Sequence, residues 1–193
     1  VEEEDFINRL ILRSMQQAKY STECYGHFGL AARYYCHFTS PIRRYPDLQI
    51  HRIIKDNLHG RLTESRISHY NSILTNVADL NSKRERRADE VEREVEKLKK
   101  VQYMSRHIGD EYDGIVSGVT GYGIYVELPN TVEGMVRMAS IHGDYFIYDE
   151  ENMLVYGRDT GVTYQLGQKV RVRVVMTDRK LLTIDFEIAD DLV

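Results

Sequence analysis

The sequence predicts an α+β protein in two parts, a helical portion followed by a small β-barrel, and three observations carry that prediction. Residues 63 to 107 contain neither proline nor glycine and place apolar residues at helical spacings. After Gly109, short β-branched and aromatic runs alternate in hydropathy between glycine, asparagine and aspartate turns. The charge also changes sign there: residues 1 to 109 hold 19 Lys and Arg against 15 Asp and Glu, a balance of +4, whereas residues 110 to 193 hold 7 against 15, a balance of −8.

The first helix is expected over Asp5 to Tyr20, where Phe6, Ile7, Leu10, Ile11, Met15 and Ala18 recur every three or four residues. Gly26, Gly29 and several aromatics predict a compact loop from Tyr20 to Arg33. Ser40-Pro41 has the form of a helix start, serine as N-cap and proline at the first helical position. Pro46 cannot donate an intrahelical bond, so either that helix kinks or its regular part begins at Pro46. Ile50, Ile53, Ile54 and Leu58 continue as a core-facing stripe until Gly60. Residues 63 to 107 then form one very long helix or two, with Asn81-Ser82 as the break; Ala88, Val91, Val95 and Leu98 keep an apolar stripe. Strands are expected at 111–119, 122–128, 133–138, 145–156, 170–177 and 181–187, with a helical turn near Ala139 to His142. That order fits a five-stranded Greek-key barrel of the oligonucleotide-binding (OB) type.

With 193 residues, 42% hydrophobic and 29% charged, the chain can build a core and is too apolar for intrinsic disorder. No long apolar run or basic-then-apolar leader is present, which predicts a cytoplasmic protein with no membrane partner. Cys24 and Cys36 are expected as buried free thiols. The chain opens on Val1 and an acidic stretch, as if cut from something longer.

The segment richest in chemistry is His37-Phe38-Thr39-Ser40-Pro41-Ile42-Arg43-Arg44-Tyr45-Pro46-Asp47-Leu48. Adjacent guanidiniums repel unless an anion lies beside them, and their planar forks match phosphate. Ser40 and free N–H groups at a helix start would seat a phosphate, and Arg43 or Arg44 would hold its oxygens as charge builds in a transition state. The bland alternative pairs Arg43 with Asp47 four residues on and lays Arg44 along the face of Leu48 and Arg52. The basic cluster Lys83, Arg84, Arg86, Arg87, with Glu85 embedded, is a second candidate for lining an anion. In the barrel, Tyr122, Tyr125, Arg137 and His142 fall where an OB fold presents its nucleic-acid face. Strand alternation would turn one of the two tyrosines inward or away. No metal-ligand pattern is visible: Asp47, Asp56 and Asp79 are isolated, Glu2 to Asp5 and Asp149 to Glu151 read as a solvated end and a hairpin tip, and His37 and His51 lack partners at zinc spacing. Gly121-Tyr122-Gly123 reads as a turn between strands.

The stretches Leu12 to Met15, Gly26 to Ala31, His37 to Leu48, His51-Arg52 and Glu85 to Glu90, followed by an S1-type barrel, resemble the C-terminal part of the bacterial RNase R/RNase II (RNB) exoribonuclease family. The resemblance implies the helical C-terminal portion of an RNB catalytic domain over 1–107, an S1 RNA-binding domain over 108–189 and a tail over 190–193. It implies a processive 3′ to 5′ hydrolysis of RNA to nucleoside 5′-monophosphates with two Mg2+ ions. By similarity Arg43 matches the catalytic arginine that contacts the terminal phosphate, and Glu85 a downstream glutamate of the same site. Ser40, Arg44, Tyr45, His51 and Arg52, with the four barrel residues, are the expected RNA contacts. The metal-binding aspartates and the aromatics that clamp the last nucleotides lie upstream in the family and are absent from this chain, so the chain alone is expected to be inactive and to hold no cofactor. Many relatives carry a lysine-rich tail after the barrel, whereas this sequence ends Ala189-Asp190-Asp191-Leu192-Val193, so any such tail is either truncated or never existed. Single-stranded RNA and the remainder of the catalytic domain are the expected partners, and a monomer the expected state. The rival readings are a non-catalytic RNA-binding module on a helical scaffold and, further off, a helical interaction protein with no RNA role.

Overall fold

A computed structural model describes residues 17–189 together with Ile11, Ser14 and Met15; the helix expected over 5–20, the acidic stretch at 2–5 and the tail over 190–193 lie wholly or mostly outside the described residues. The chain forms two compact units, one of residues 16–91 and one that takes in residues 92–189.

In the first unit the loop before the arginines is held by local polar contacts. The His27 side chain accepts from the Leu30 N–H at 3.2 Å and caps a 3-10 turn over Phe28–Leu30, while Gly26 adopts a left-handed conformation (φ 78°) where a Cβ would crowd the Ala32 carbonyl. Cys24 and Cys36 are free but exposed, a correction to the expected burial, because this aromatic loop packs into no core of its own. Helix α1 spans Tyr45–Leu58. Ser40 is therefore not its N-cap: residues 41–43 form a turn in which the Arg43 and Arg44 N–H groups donate to the Ser40 carbonyl at 3.2 and 3.0 Å. Pro46 sits in the first turn of α1, where its missing N–H costs nothing. The core-facing stripe is weaker than expected: Ile50 and Ile53 are half-buried, Ile54 and Leu58 exposed, and the buried positions of α1 are Asp47 and Gln49.

Helix α2 runs without interruption over Glu64–Met104. Of the two readings, one long helix or two, the single helix is found; at Asn81-Ser82, the candidate break, Asn81 Nδ2 and Ser82 Oγ donate to the carbonyls of Val77 and Ala78, at 2.7 and 2.9 Å, and so remain inside the helical pattern. Asp56 joins α1 to α2, accepting from the Tyr70 hydroxyl at 2.7 Å and Arg66 Nε at 2.9 Å. The Ala88, Val91, Val95 stripe is exposed; burial resumes only at Val101 and Met104.

The second unit is the expected barrel with an addition. Strands β1 (Glu111–Thr120), β2 (Gly123–Glu127), β3 (Glu133–Arg137), β7 (Lys169–Asp178) and β8 (Thr183–Ile188) close in the order β1-β2-β3-β8-β7, antiparallel except for the β3–β8 pair. Irregularities at Val116/Gly118 and Val174/Met176 supply the bends that closure requires. Val116, Val126, Val136, Val172, Val174 and Phe186 fill the interior, joined by Val101 and Met104 from the end of α2. The segment 145–156, read as one strand, is a hairpin of β4 (Phe146–Asp149) and β5 (Leu154–Gly157), to which β6 (Thr163–Gln165) adds a third strand in a separate sheet.

Candidate nucleic-acid interfaces

The two arginines of the opening motif have different fates. Asp47, at 0% exposure, accepts through Oδ2 from the Ser40 N–H at 2.8 Å and from Arg44 Nη2 and Nε at 2.8 and 3.2 Å. Burial alone would raise this carboxyl; the Ser40 N–H and the Arg44 guanidinium outweigh it and hold Asp47 below the usual carboxylate range, with His37 adding a smaller pull. The partner of Asp47 is thus Arg44, not the Arg43 that four-residue spacing suggests, because α1 begins only at Tyr45 and the preceding turn changes the register. Arg43 is exposed, and among the described residues its guanidinium has no side-chain partner. The result is a rigid turn in which one arginine is spent on the protein and its neighbour is presented outward.

The remaining expected residues of this unit are similarly sorted. His51 Nε2 meets the Phe38 carbonyl at 2.8 Å, so that nitrogen carries the proton, and its ring stacks on Phe38 at 4.3 Å. Arg52 lies over the Tyr45 ring at 5.7 Å and touches its hydroxyl at 3.4 Å. Glu85 is exposed on α2 beside Tyr20, whose hydroxyl stands 2.9 Å from His37 Nδ1. Burial, and then the hydrogen bond and charge of Glu85, push the Tyr20 phenol up to about 12. Tyr20 was not among the sequence candidates; its partners lie 17 and more residues away, and no local pattern announces them. Of the basic cluster on α2, Lys83 pairs with Asp79 at 2.7 Å, while Arg84, Arg86 and Arg87 are exposed.

On the barrel, Tyr122, Tyr125, Arg137 and His142 are all exposed. The expectation that one tyrosine turns inward fails because Tyr122 belongs to the β1–β2 turn, outside strand alternation, and is 82% exposed; Tyr125 alone obeys the alternation of β2, between buried Ile124 and Val126. Gly118, opposite Tyr125 in the ladder, leaves room for its ring, which a Cβ there would touch at 3.4 Å. Arg137 lies across Asp185 at 2.9 Å and keeps more than half of its side chain in solvent. Two exposed aromatic faces, one in the β1–β2 turn and one on β2, lie near a partly neutralised cation at the end of β3, residue types that can stack on bases and meet a phosphate.

Among the described residues no three His, Cys, Asp or Glu side chains come together to hold a metal ion. Asp47, Asp56 and Asp79 are each committed to a cation, so these three aspartates do not fit a metal pair. No described helix is long and apolar enough to cross a membrane.

An RNB domain matches residues 1–60 and an S1 RNA binding domain matches residues 106–189. Ribonuclease R 1 of Lactococcus lactis is 46% identical over 181 residues, covering 94% of this chain and 22% of its own length; ribonuclease R of Escherichia coli is 40% identical over 192 residues, covering 95% and 24%. The apo form of Mycoplasma genitalium RNase R superposes with a TM-score of 0.88 at 29% identity, covering 97% of this chain and 30% of that one, and the same enzyme solved with ribose methylated single-stranded RNA matches equally. The chain therefore spans about a quarter of the length of its curated relatives. With the RNB match on the arginine turn and the S1 match on the closed barrel, the chain belongs to the ribonuclease R family of RNB–S1 proteins.

Proposed function

We propose that this chain supplies two parts of a processive 3′ to 5′ exoribonuclease that hydrolyses single-stranded RNA to nucleoside 5′-monophosphates: the arginine that contacts the scissile phosphate and the barrel that grips RNA ahead of it. The observation that carries the reading is the division of labour at Arg43 and Arg44. A guanidinium held by a buried carboxylate stiffens the turn, and its free neighbour meets an incoming phosphate with little loss of entropy. Arg43 then holds phosphate oxygens more tightly as negative charge develops, and Glu85, tied to Tyr20, belongs to the same site. In this reading Mg2+ supplies the activated water, its ligands lie outside this chain, and the isolated chain performs no hydrolysis.

Residues 1–107 are assigned to the RNB catalytic domain, 108–189 to the S1 domain and 190–193 to a tail, in a monomeric cytoplasmic enzyme. RNA contacts are assigned to Tyr45, His51 and Arg52 beside Arg43, with Ser40 and Arg44 acting through the turn they anchor on Asp47 rather than by direct contact, and to Tyr122, Tyr125, Arg137 and His142 on the barrel. The remainder of the catalytic domain is the partner of the first unit, whose Phe28 and Ile42 stand 96% and 97% exposed among the described residues.

In a full-length ribonuclease R polypeptide that carries this segment, Arg43→Ala lowers kcat by about a hundred- to a thousandfold. The affinity for single-stranded RNA changes little, because the lost contact strengthens in the transition state. Single-turnover kinetics with a direct binding titration separates the two; an equal loss in both would refute the role.

A further inference from the structure

The group in the first unit that the proposed chemistry does not use is Tyr20. Its N–H donates to Ser82 Oγ at 2.9 Å, which fixes its main chain on α2 at a point 62 residues away in sequence. Ser82 and Glu85 are three residues apart in a continuous helix and so share one face. From that anchor the phenol meets His37 Nδ1 at 2.9 Å, with the two rings edge to face at 5.5 Å. His37 is the first residue of the segment that leads into the arginine turn. The same phenol feels Arg44 and Asp47, and Asp47 feels His37, so the ion pair of the turn lies within electrostatic reach of this cluster.

We infer that Tyr20 is a positioning residue of the Arg43 site: with its main chain anchored on Ser82 of α2 and its hydroxyl on His37, it ties the root of the arginine turn to that helix. The inference rests on the reading of Arg43 given above and adds what holds that arginine's turn against α2.

Two measurements test this. Nitrogen-15 spectra of the 193-residue chain are expected to show His37 in one fixed tautomer, which is lost in Tyr20→Phe. Equal tautomer populations of His37 in the parent chain and in Tyr20→Phe would overturn the bridge. In the full-length polypeptide, Tyr20→Phe, which deletes one oxygen and keeps the ring, is expected to lower kcat by about ten- to a hundredfold with KM for RNA unchanged. Ser82→Ala, which removes the anchor, lowers kcat in the same way. Unchanged kcat in both variants, with Arg43→Ala still impaired, would overturn the positioning role alone. Full activity of Arg43→Ala would overturn the reading beneath it.

Discussion

The two units of this chain are stabilised by opposite means. The barrel is built around fifteen buried apolar residues in one cluster, from Val101 to Phe186, and its strands close on themselves. In residues 17–91 the buried side chains are Asp47, Gln49, Tyr70 and Ser82, and large apolar groups such as Phe28 and Ile42 face outward. One unit carries its own hydrophobic core, and the other is organised by charge-assisted hydrogen bonds around a turn. The difference matches the proposed assignments, a binding face on a self-sufficient barrel and an arginine turn that works together with the rest of a catalytic domain.

The comparison breaks first in the barrel. Phe186→Ala removes the largest fully buried side chain of the interior, against which Gly134 is packed too closely for any Cβ. It should cost about 3–5 kcal/mol, read as an earlier denaturant midpoint for the barrel strands. In the first unit the corresponding change is polar. Asp47→Ala leaves the Arg44 guanidinium and the Ser40 N–H without their acceptor and should cost about 2–3 kcal/mol, less than a fully buried pair because Arg44 is 20% exposed. Hydrogen exchange at the first turn of α1 would show it, with the barrel amides unaffected. Comparable loosening of both units by either substitution would contradict the separation.

A smaller effect lies in the added sheet. Asp144 accepts from the N–H groups of Tyr145, Asp159 and Thr160 and from the Thr160 hydroxyl, which pins the start of β4 to the turn after β5. These bonds, led by Thr160, hold its carboxyl at about 2 against an ordinary 3.8. The sign follows from the lowered value: the contribution is fully present above about pH 4 and is lost as pH falls toward 2. Amide shifts of β4–β6 should titrate in that window, ahead of the barrel interior.

These contrasts also explain what could be read in advance. The barrel strands were legible because alternation and turn residues are local signals, and the long helix because nothing in 63–107 interrupts it. The hairpin within 145–156 was half legible: Asp149 to Glu151 reads as its tip, and the Asp149 carboxylate does form that turn by accepting from the Asn152 N–H and side chain, but the segment around it reads as one strand. Arg44 in place of Arg43 as the partner of Asp47, and Tyr20 as a bridge, were beyond sequence because each depends on where a turn ends or on residues far apart in the chain. The motif located the arginine turn; only three-dimensional structure distinguishes the arginine that is held from the one that is offered.

That distinction, with binding assigned to the barrel and chemistry to the turn, is tested most directly by measuring kcat and RNA affinity side by side for Arg43→Ala and for Tyr122→Ala/Tyr125→Ala in the full-length polypeptide. The tyrosine pair should weaken single-stranded RNA binding by about 1–3 kcal/mol per stacked base and leave saturated kcat near its parent value. Arg43→Ala should do the reverse. If both variants lose affinity and turnover together, the turn and the barrel act as a single binding surface and the account is wrong.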